Sequence, residues 1–487
     1  MSAPRLQFLD KRSVEQIIDQ AHQLLWDPGV MVYAPEALEI LAQGGAQVDQ
    51  KRRIARIPAR LVQEALDTAP EGFNLYNVKG EVAVEYRGDH LQFDPGSAAI
   101  FILDSQTGRV RQPVTADLVR HLKLAEGLEQ LDAVSTALVC SDVPEGIADL
   151  YRLYLVLKYA RKPVVTGAFA IETLHLMYEM LVAVAGSAGS LRERPLAVFD
   201  ICPSPPLLWS EITCQNLIDC ARCWLPAELV SMPLAGATAP ATLVGALAQH
   251  TAENLSGVVI HQLTNPEAPI VYGGSPAIFD MRQGTTPMAA IETIMIDCAY
   301  TEIGKHLGLP THAYLGMSDA KLLDGQAGLE SALGAFLGTL ARVNMISGAG
   351  MLEFESCQSE EKLVIDNEII GMARRLIEGI ATREEMIPLE LMREVGHQGS
   401  FLSAKHTREW FRREQFIPSS VIDRHTRQAW EKEGRKSIVE RARERVEEII
   451  ASYQPKEMPP EVEKELTKIV TSAARKCGLE KLPPFEP

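Results

Sequence analysis

The chain has 487 residues, 46% hydrophobic and 23% charged, a composition that excludes a disordered chain and predicts a packed core. Its 64 acidic residues outnumber 48 basic ones, for a formal charge of -16 that repels a phosphate backbone and argues against a nucleic-acid reader. No apolar run reaches the ~18–20 residues needed to span a bilayer, and the opening MSAPRLQFLDKRSVEQ lacks a signal-peptide core, so a cytoplasmic protein with no membrane association is expected.

Residues 1–95 read as an N-terminal α+β cap. Within it, 13–25, 35–43 and 58–70 have helical periodicity, while FNLYN (73–77) and EVAVEYRG (81–88) alternate like short strands. Residues 96–400 alternate β-rich runs with amphipathic stretches. The predicted strands are AAIFILD (98–104), AVSTALVC (133–140), PVVTGAF (163–169), LAVFDIC (196–202), ELVSMPL (228–234), PIVYGG (269–274), PTHAYLG (310–316) and VNMISGAG (343–350). Helical segments separate them, the first being TADLVRHLKLAEGLEQL with Thr115 expected at the N-cap. Near-continuous apolar strands are buried on both faces, a property of parallel sheets. Eight strand–helix units predict a (β/α)8 TIM barrel. An open doubly wound sheet would carry a Gly-rich first turn, and the nearest match, SGAGMLE (347–353), has Glu353 where the third glycine belongs. Residues 401–487 are charge-rich and predict a C-terminal helical extension.

Active-site groups of such a barrel sit at the C-terminal ends of its strands. The acids there are Asp104, Asp142, Asp200, Glu353 and Glu355, with Asp319 in the loop LGMSDAK. Asp104, Asp142 and Glu353 are the catalytic candidates; as alternatives, Asp104 or Asp142 would cap a helix and Glu353 would face solvent. The aromatic rings are Tyr272 and Trp209, and acids beside aromatic faces suit a quaternary ammonium. Gly273, Gly274, Gly316, Gly348 and Gly350 leave bare backbone for close approach of a large flat group, or else form turns at positive φ. No H-E-x-x-H, paired tip histidines or G-x-S-x-G appears, so no metal of its own is expected. Cys220 and Cys223 form a C-x-x-C pair inside a helical stretch with no partner ligands, which reads as core packing rather than a zinc or redox site. Lys321 leaves open a lyase or aldolase using a Schiff base, and a non-catalytic betaine-binding protein is the other alternative.

Four stretches resemble the trimethylamine methyltransferase (MttB-type) superfamily: EALEILAQGGAQVDQKRRIARIPARLVQEAL, VYGGSPAIFDMRQGTTPMAAIE, LPTHAYLGMSDAKLLDGQAGLESALGAFLGTLARVNMISGAGMLE and EEKLVIDNEIIGMARRLIEG. The resemblance runs over nearly the whole chain. It implies a corrinoid-dependent methyltransferase with a barrel fold, taking a methyl group from an amine to cob(I)alamin on a partner corrinoid protein. A further protein would carry the methyl onward. The founding trimethylamine enzymes use pyrrolysine, which this chain lacks; the corresponding place falls near Met317. The resemblance therefore implies a non-pyrrolysine member acting on a quaternary amine such as glycine betaine. Arg282 and His312 are then the candidates for holding a betaine carboxylate, unless Arg282 pairs with Asp280 and His312 is a core histidine. Under the same resemblance Gly273 and Gly274 would face the incoming corrin. DRHTRQ (423–428) has the Asp and His of a corrinoid-domain motif but Gln428 in place of glycine, so the cofactor is expected on the partner. A homo-oligomer is expected.

Overall fold

Eight parallel strands form one sheet in the computed structural model, which describes residues 4–382 and 388–485. They are β1 (Gln92–Pro95), β2 (Val134–Ser135), β3 (Val164–Thr166), β4 (Ala197–Ile201), β5 (Ala227–Leu229), β6 (Ile270–Gly274), β7 (Thr311–Tyr314) and β8 (Met345–Ala349). Their order, β1-β8-β7-β6-β5-β4-β3-β2, is that of a rolled sheet. The two ends meet where Asp132 N–H donates to Phe93 O at 2.9 Å and Ala99 N–H to Ala137 O at 2.8 Å. Helices α1 (Thr115–Gly127), α2 (Ala148–Tyr159), α3 (Ile171–Ala185), α4 (Glu211–Cys223), α5 (Leu243–Thr264), α6 (Ile291–His306), α7 (Gly325–Ala341) and α8 (Glu360–Glu378) each follow one strand. The expected (β/α)8 barrel is present. Side-chain caps set three of the helix starts: Ser210 accepts from Thr213 N–H, Asp324 from Gln326 and Ala327 N–H, and Ser359 from Lys362 N–H. Among the described residues no helix is long and apolar enough to cross a membrane.

Two sequence expectations shift. The first barrel strand is Gln92–Pro95, inside the stretch assigned to the cap, and not 98–104. Phe101–Leu103 instead joins Val110–Arg111, Met351–Leu352 and Cys357–Gln358 in a small sheet that follows the C-terminal ends of β1 and β8. Thr115 is the first helical residue of α1 rather than its cap. Asp117 accepts from the Val114 N–H, and Asp142 accepts from the Thr115 N–H at 3.0 Å.

The hairpin Phe73–Tyr76 and Val82–Tyr86 plugs the opposite end of the barrel. Its Phe73, Leu75, Val84 and Tyr86 form one apolar cluster with Ala133, Val165, Val198, Val271 and Met345, all supplied by barrel strands or their first residues. Tyr86 then reaches upward, its hydroxyl donating to Glu228 Oε2 at 2.8 Å. Tyr86→Phe removes this donor from a buried carboxyl, and a loss of about 1–3 kcal/mol in unfolding free energy is expected. An unchanged denaturant midpoint would contradict the plug's polar link to the lumen. Outside the barrel, Ile438–Ser452 packs on α1 and α8, while Pro460–Lys476 packs on α2 and α3.

Candidate active site

Side chains alternate across a strand, so each barrel strand that places an apolar residue in the floor places its next inward residue one layer higher. On β4 the pair is Val198 and Asp200, on β6 Val271 and Gly273, on β8 Met345 and Ser347. Asp94, Glu228 and His312 enter the same layer from β1, β5 and β7. Above an apolar floor the lumen is therefore acidic. His312 Nε2 lies 2.9 Å from Ser347 Oγ, and Ser347 donates to Asp94 Oδ1. His312 Nδ1 stands 3.1 Å from Glu228 Oε1. Asp200 and Glu228 are register partners on adjacent parallel strands, so their carboxyls stand side by side. Tyr314 donates to Asp200 Oδ2 at 3.2 Å and meets the His312 ring edge-on.

Burial decides the charges. Desolvation pushes the Asp94 carboxyl well up, and burial with Asp200 alongside does the same to Glu228. Asp200, which is less enclosed, is pushed up to about 6 by burial. Burial pulls His312 down to about 3, so the ring is neutral. Asp94 Oδ2 and Asp200 Oδ1 complete no hydrogen bond, and Glu228 Oε1 and His312 Nδ1 have only each other. Among the described residues no lysine or arginine forms an ion pair with Asp94, Asp200, Glu228 or Glu355. Several carboxyls with orphaned oxygens and no ion-paired cation make a lumen whose chemistry suits a cation, the one positive charge whose field reaches Asp200 being that of Arg152.

Glu355 covers this layer from above. Glu353, Phe354 and Glu355 have φ of 53, 56 and 66°, three successive side-chain-bearing residues in the left-handed region, each costing about 1–2 kcal/mol. The turn is held by Glu353 N–H on Ala320 O, by the N–H groups of Ile100 and Phe101 on Ser356 O, and by Lys321 over the Phe354 ring at 3.7 Å. Its result is a half-buried Glu355 whose carboxyl is pushed up to about 8, first by desolvation and then by Asp200.

Of the residues expected from sequence, Asp200 and His312 meet in the lumen, beside Gly273. The others lie elsewhere. Tyr272 sits between inward-facing Val271 and Gly273 and so points outward, its hydroxyl donating to Thr251 Oγ1 at 3.0 Å on α5. Trp209 belongs to Leu208–Trp209, which pairs with the N-terminal strand Val30–Val32, and its Nε1 donates to Ser256. Asp104 closes a surface turn, accepting from Thr107 N–H at 2.8 Å and pairing with Arg111 at 3.0 Å. Asp142 is spent on the start of α1. Glu353 is half-buried in the lid turn, one residue short of Phe354 and two short of the lumen-facing Glu355. Asp319 accepts from Met288 and Ala289 N–H, both at 2.9 Å, tying the β6 loop to the β7 loop. Met317 is buried in the core beside Gly348. Arg282 is exposed and paired with Asp280 at 2.9 Å. Lys321 donates to Asp319 O at 2.7 Å.

The glycines at the β6 tip answer to packing. A Cβ on Gly274 would stand 2.3 Å from His250 Nε2 and 2.6 Å from Ser231 O; one on Gly273 would meet Leu229 O at 2.8 Å. Neither has positive φ, whereas Gly348 (112°) and Gly350 (86°) do. Gly316 is crowded by the β8 backbone, with Ala349 N at 3.0 Å. Cys220 is buried within α4, and among the described residues no group of three His, Cys, Asp or Glu is placed to hold a metal ion. His425 of DRHTRQ pairs with Glu433 at 2.9 Å. Asp94, Glu228, Tyr314 and Ser347 were absent from the expected set. Their signal was the two-residue alternation below the strand tips.

The family model for trimethylamine methyltransferase (MTTB) matches residues 1–478. The chain is 31% identical over 451 residues to trimethylamine methyltransferase MttB of Desulfitobacterium hafniense, covering 93% of this chain and 90% of that protein. It is 32% identical over 458 residues to MttB of Methanosarcina barkeri, covering 93% and 92%. A glycine betaine methyltransferase of Desulfitobacterium hafniense is 29% identical over 479 residues, covering 98% and 99%. Among solved structures the Methanosarcina barkeri monomethylamine methyltransferase aligns with a TM-score of 0.51 at 11% identity, over 99% of this chain and 90% of that one, and so supports the barrel fold. With the match spanning the plug, all eight strands and most of the extension, the chain belongs to the trimethylamine methyltransferase (MTTB) family and is a methyltransferase.

Proposed function

We propose that this methyltransferase takes a methyl group from a quaternary amine of the glycine betaine kind and delivers it to cob(I)alamin carried by a partner corrinoid protein. The carrying observation is the acidic lumen, whose Asp94 and Asp200 each leave an oxygen unpaired beside Glu228 and a neutral His312. A permanent cation satisfies such a cage without needing hydrogen-bond donors of its own. The reduced cobalt of the partner supplies the nucleophile. A quaternary ammonium departs as a neutral amine, so this chain has no proton to deliver to the leaving nitrogen. Its task is to hold the ammonium by charge, fix the methyl group's direction and exclude water. Asp200 and Glu355 supply the charge, Tyr314 orients Asp200, and the left-handed turn at 353–355 closes over them.

The barrel mouth suits a partner bearing a broad apolar cofactor. Ile100, Phe169, Met232, Met281 and Leu322, on the connections after β1, β3, β5, β6 and β7, are 51, 47, 39, 70 and 62% exposed. Placed one to a connection at the same end of the barrel, they offer apolar side chains to such a partner. Met232→Glu with Met281→Glu is expected to slow transfer to sub-saturating corrinoid protein about tenfold, while amine affinity measured without the partner stays within about twofold. Equal transfer rates would move the docking surface elsewhere. The reading includes a cytoplasmic oligomer, a reducing setting that suits both reduced cobalt and the free cysteines.

The function is tested by mixing the protein with a cob(I)alamin-loaded corrinoid partner and a panel of methylated amines. Loss of the cob(I)alamin absorbance with at least one quaternary amine is expected. A panel in which no quaternary amine works, or only tertiary ones do, overturns the proposal.

A further inference from the structure

Arg152 is a buried guanidinium that the acidic lumen does not explain. It lies on α2 and is 1% exposed. Its Nε donates to Ala148 O at 3.3 Å and one terminal nitrogen, Nη1, donates to Thr136 O at 2.7 Å, just past the tip of β2. The guanidinium carbon sits 4.6 Å from the centre of the Phe169 ring, on the connection after β3. The other terminal nitrogen, Nη2, makes no hydrogen bond among the described residues, and no carboxylate there lies within ion-pair distance of the group. Asp149, the nearest acid on its own helix, is engaged by the N–H groups of Leu150 and Phe169 and by the Thr173 hydroxyl. Asp200 and Cys140 are the other titratable groups whose fields reach it. The β3 tip carries Gly167, which lies against Asp200: a Cβ there would be in ordinary contact with Asp200 O at 3.4 Å and its Cβ at 3.7 Å.

A buried charge outside ion-pair distance of any carboxylate is costly, and a ligand's carboxylate would supply its counter-charge. Guanidinium presents paired donors that match a carboxylate. Arg282 and His312 are unavailable for that duty, the first exposed on Asp280 and the second enclosed among acids.

We propose that Arg152 is the specificity residue for an anionic end of the substrate, so that the site takes a zwitterion: trimethylammonium over Asp200 and Glu355, carboxylate on the free edge of Arg152. This rests on the ammonium reading of the lumen and goes further by excluding simple monocations as preferred substrates.

The test is calorimetric, on the full chain without corrinoid. Wild-type protein is titrated with trimethylammonio carboxylates of increasing chain length, with the methyl ester of the tightest of them, and with tetramethylammonium. The acid is expected to bind at least about 30-fold more tightly than its ester, the range of a charge-assisted pair. This comparison needs no variant and so cannot fail through misfolding. Arg152→Met is expected to abolish the acid's advantage while tetramethylammonium affinity stays within about threefold; Arg152→Lys, which keeps a charge without the fork, should retain part of the advantage. Equal wild-type affinity for acid and ester overturns the role of Arg152 and leaves the ammonium site standing. So does an Arg152→Met variant that loses all three ligands in equal proportion. Wild-type protein that binds none of them overturns the ammonium site and Arg152 together.

Discussion

Glu355→Gln lowers quaternary-amine affinity about tenfold or more, on the Coulomb energy of one close, partly buried charge pair. Glutamine has the shape of glutamate and keeps the left-handed turn at 353–355, so the lid stays in place. What it loses is the ability to ionise beside the ammonium. The same variant is expected to stabilise the unliganded protein, because it removes a carboxyl that burial and Asp200 hold at about 8. A gain in melting temperature with a loss of affinity separates a charge role from packing. Asp104→Asn, which alters only the surface turn to Thr107 and Arg111, is the control expected to leave affinity unchanged. If Glu355→Gln binds as tightly as wild type, the lid turn has been assigned the wrong task.

Amine binding tightens as pH rises from about 6 to about 8 and levels off above. Asp200 and Glu355 have folded-state pKa values raised from 3.8 and 4.5 to about 6 and about 8. Being raised, they hold protons that the unfolded chain releases, so their contribution to unliganded stability falls as pH climbs through this window. A quaternary ammonium favours the ionised carboxyls, so its binding expels a proton near neutral pH. Affinity then changes by up to about tenfold per pH unit below 8, and more steeply below 6 as Asp200 also takes up its proton. Calorimetry in two buffers of different ionisation enthalpy counts the proton directly. Affinity that is flat between pH 6 and 8, with no proton released, would mean that neither carboxyl faces the ligand. In Glu355→Gln the dependence between 7 and 8 is expected to vanish, leaving the weaker one that Asp200 carries near 6.

The barrel was legible because its strands are apolar runs at regular intervals: six of the eight fell within the expected segments, and β5, Ala227–Leu229, overlapped the start of its segment 228–234. β1 was not, for a physical reason. QFDP carries Gln92 and Asp94 toward the lumen and offers little apolar signal, while the neighbouring FIL has the better strand composition but serves the lid sheet. The hairpin at 73–86 was read as strands, yet nothing local says that it plugs a barrel whose first strand starts only at Gln92. Site residues were harder because a strand tip has two faces. Tyr272 and Gly273 are adjacent, and only the register with His312 decides that the aromatic ring goes outward. Glu228 stands directly beside Asp200, but it lies at the start of a strand whose visible tip is Met232. Arg152 could not be found by reading tips at all, since it reaches the mouth from a helix that is buried along nearly its whole length.

The account's central claim is that the substrate's permanent charge both binds it and makes it a leaving group. Its most direct test compares a quaternary amine with the tertiary amine of the same skeleton, glycine betaine against N,N-dimethylglycine, in single-turnover methyl transfer to a cob(I)alamin-loaded partner. The prediction is one methyl lost from the quaternary amine and no transfer from the tertiary one across pH 6 to 8. Comparable rates from both would contradict it, because the tertiary amine lacks the third methyl, the fourth carbon substituent that makes the nitrogen's charge permanent.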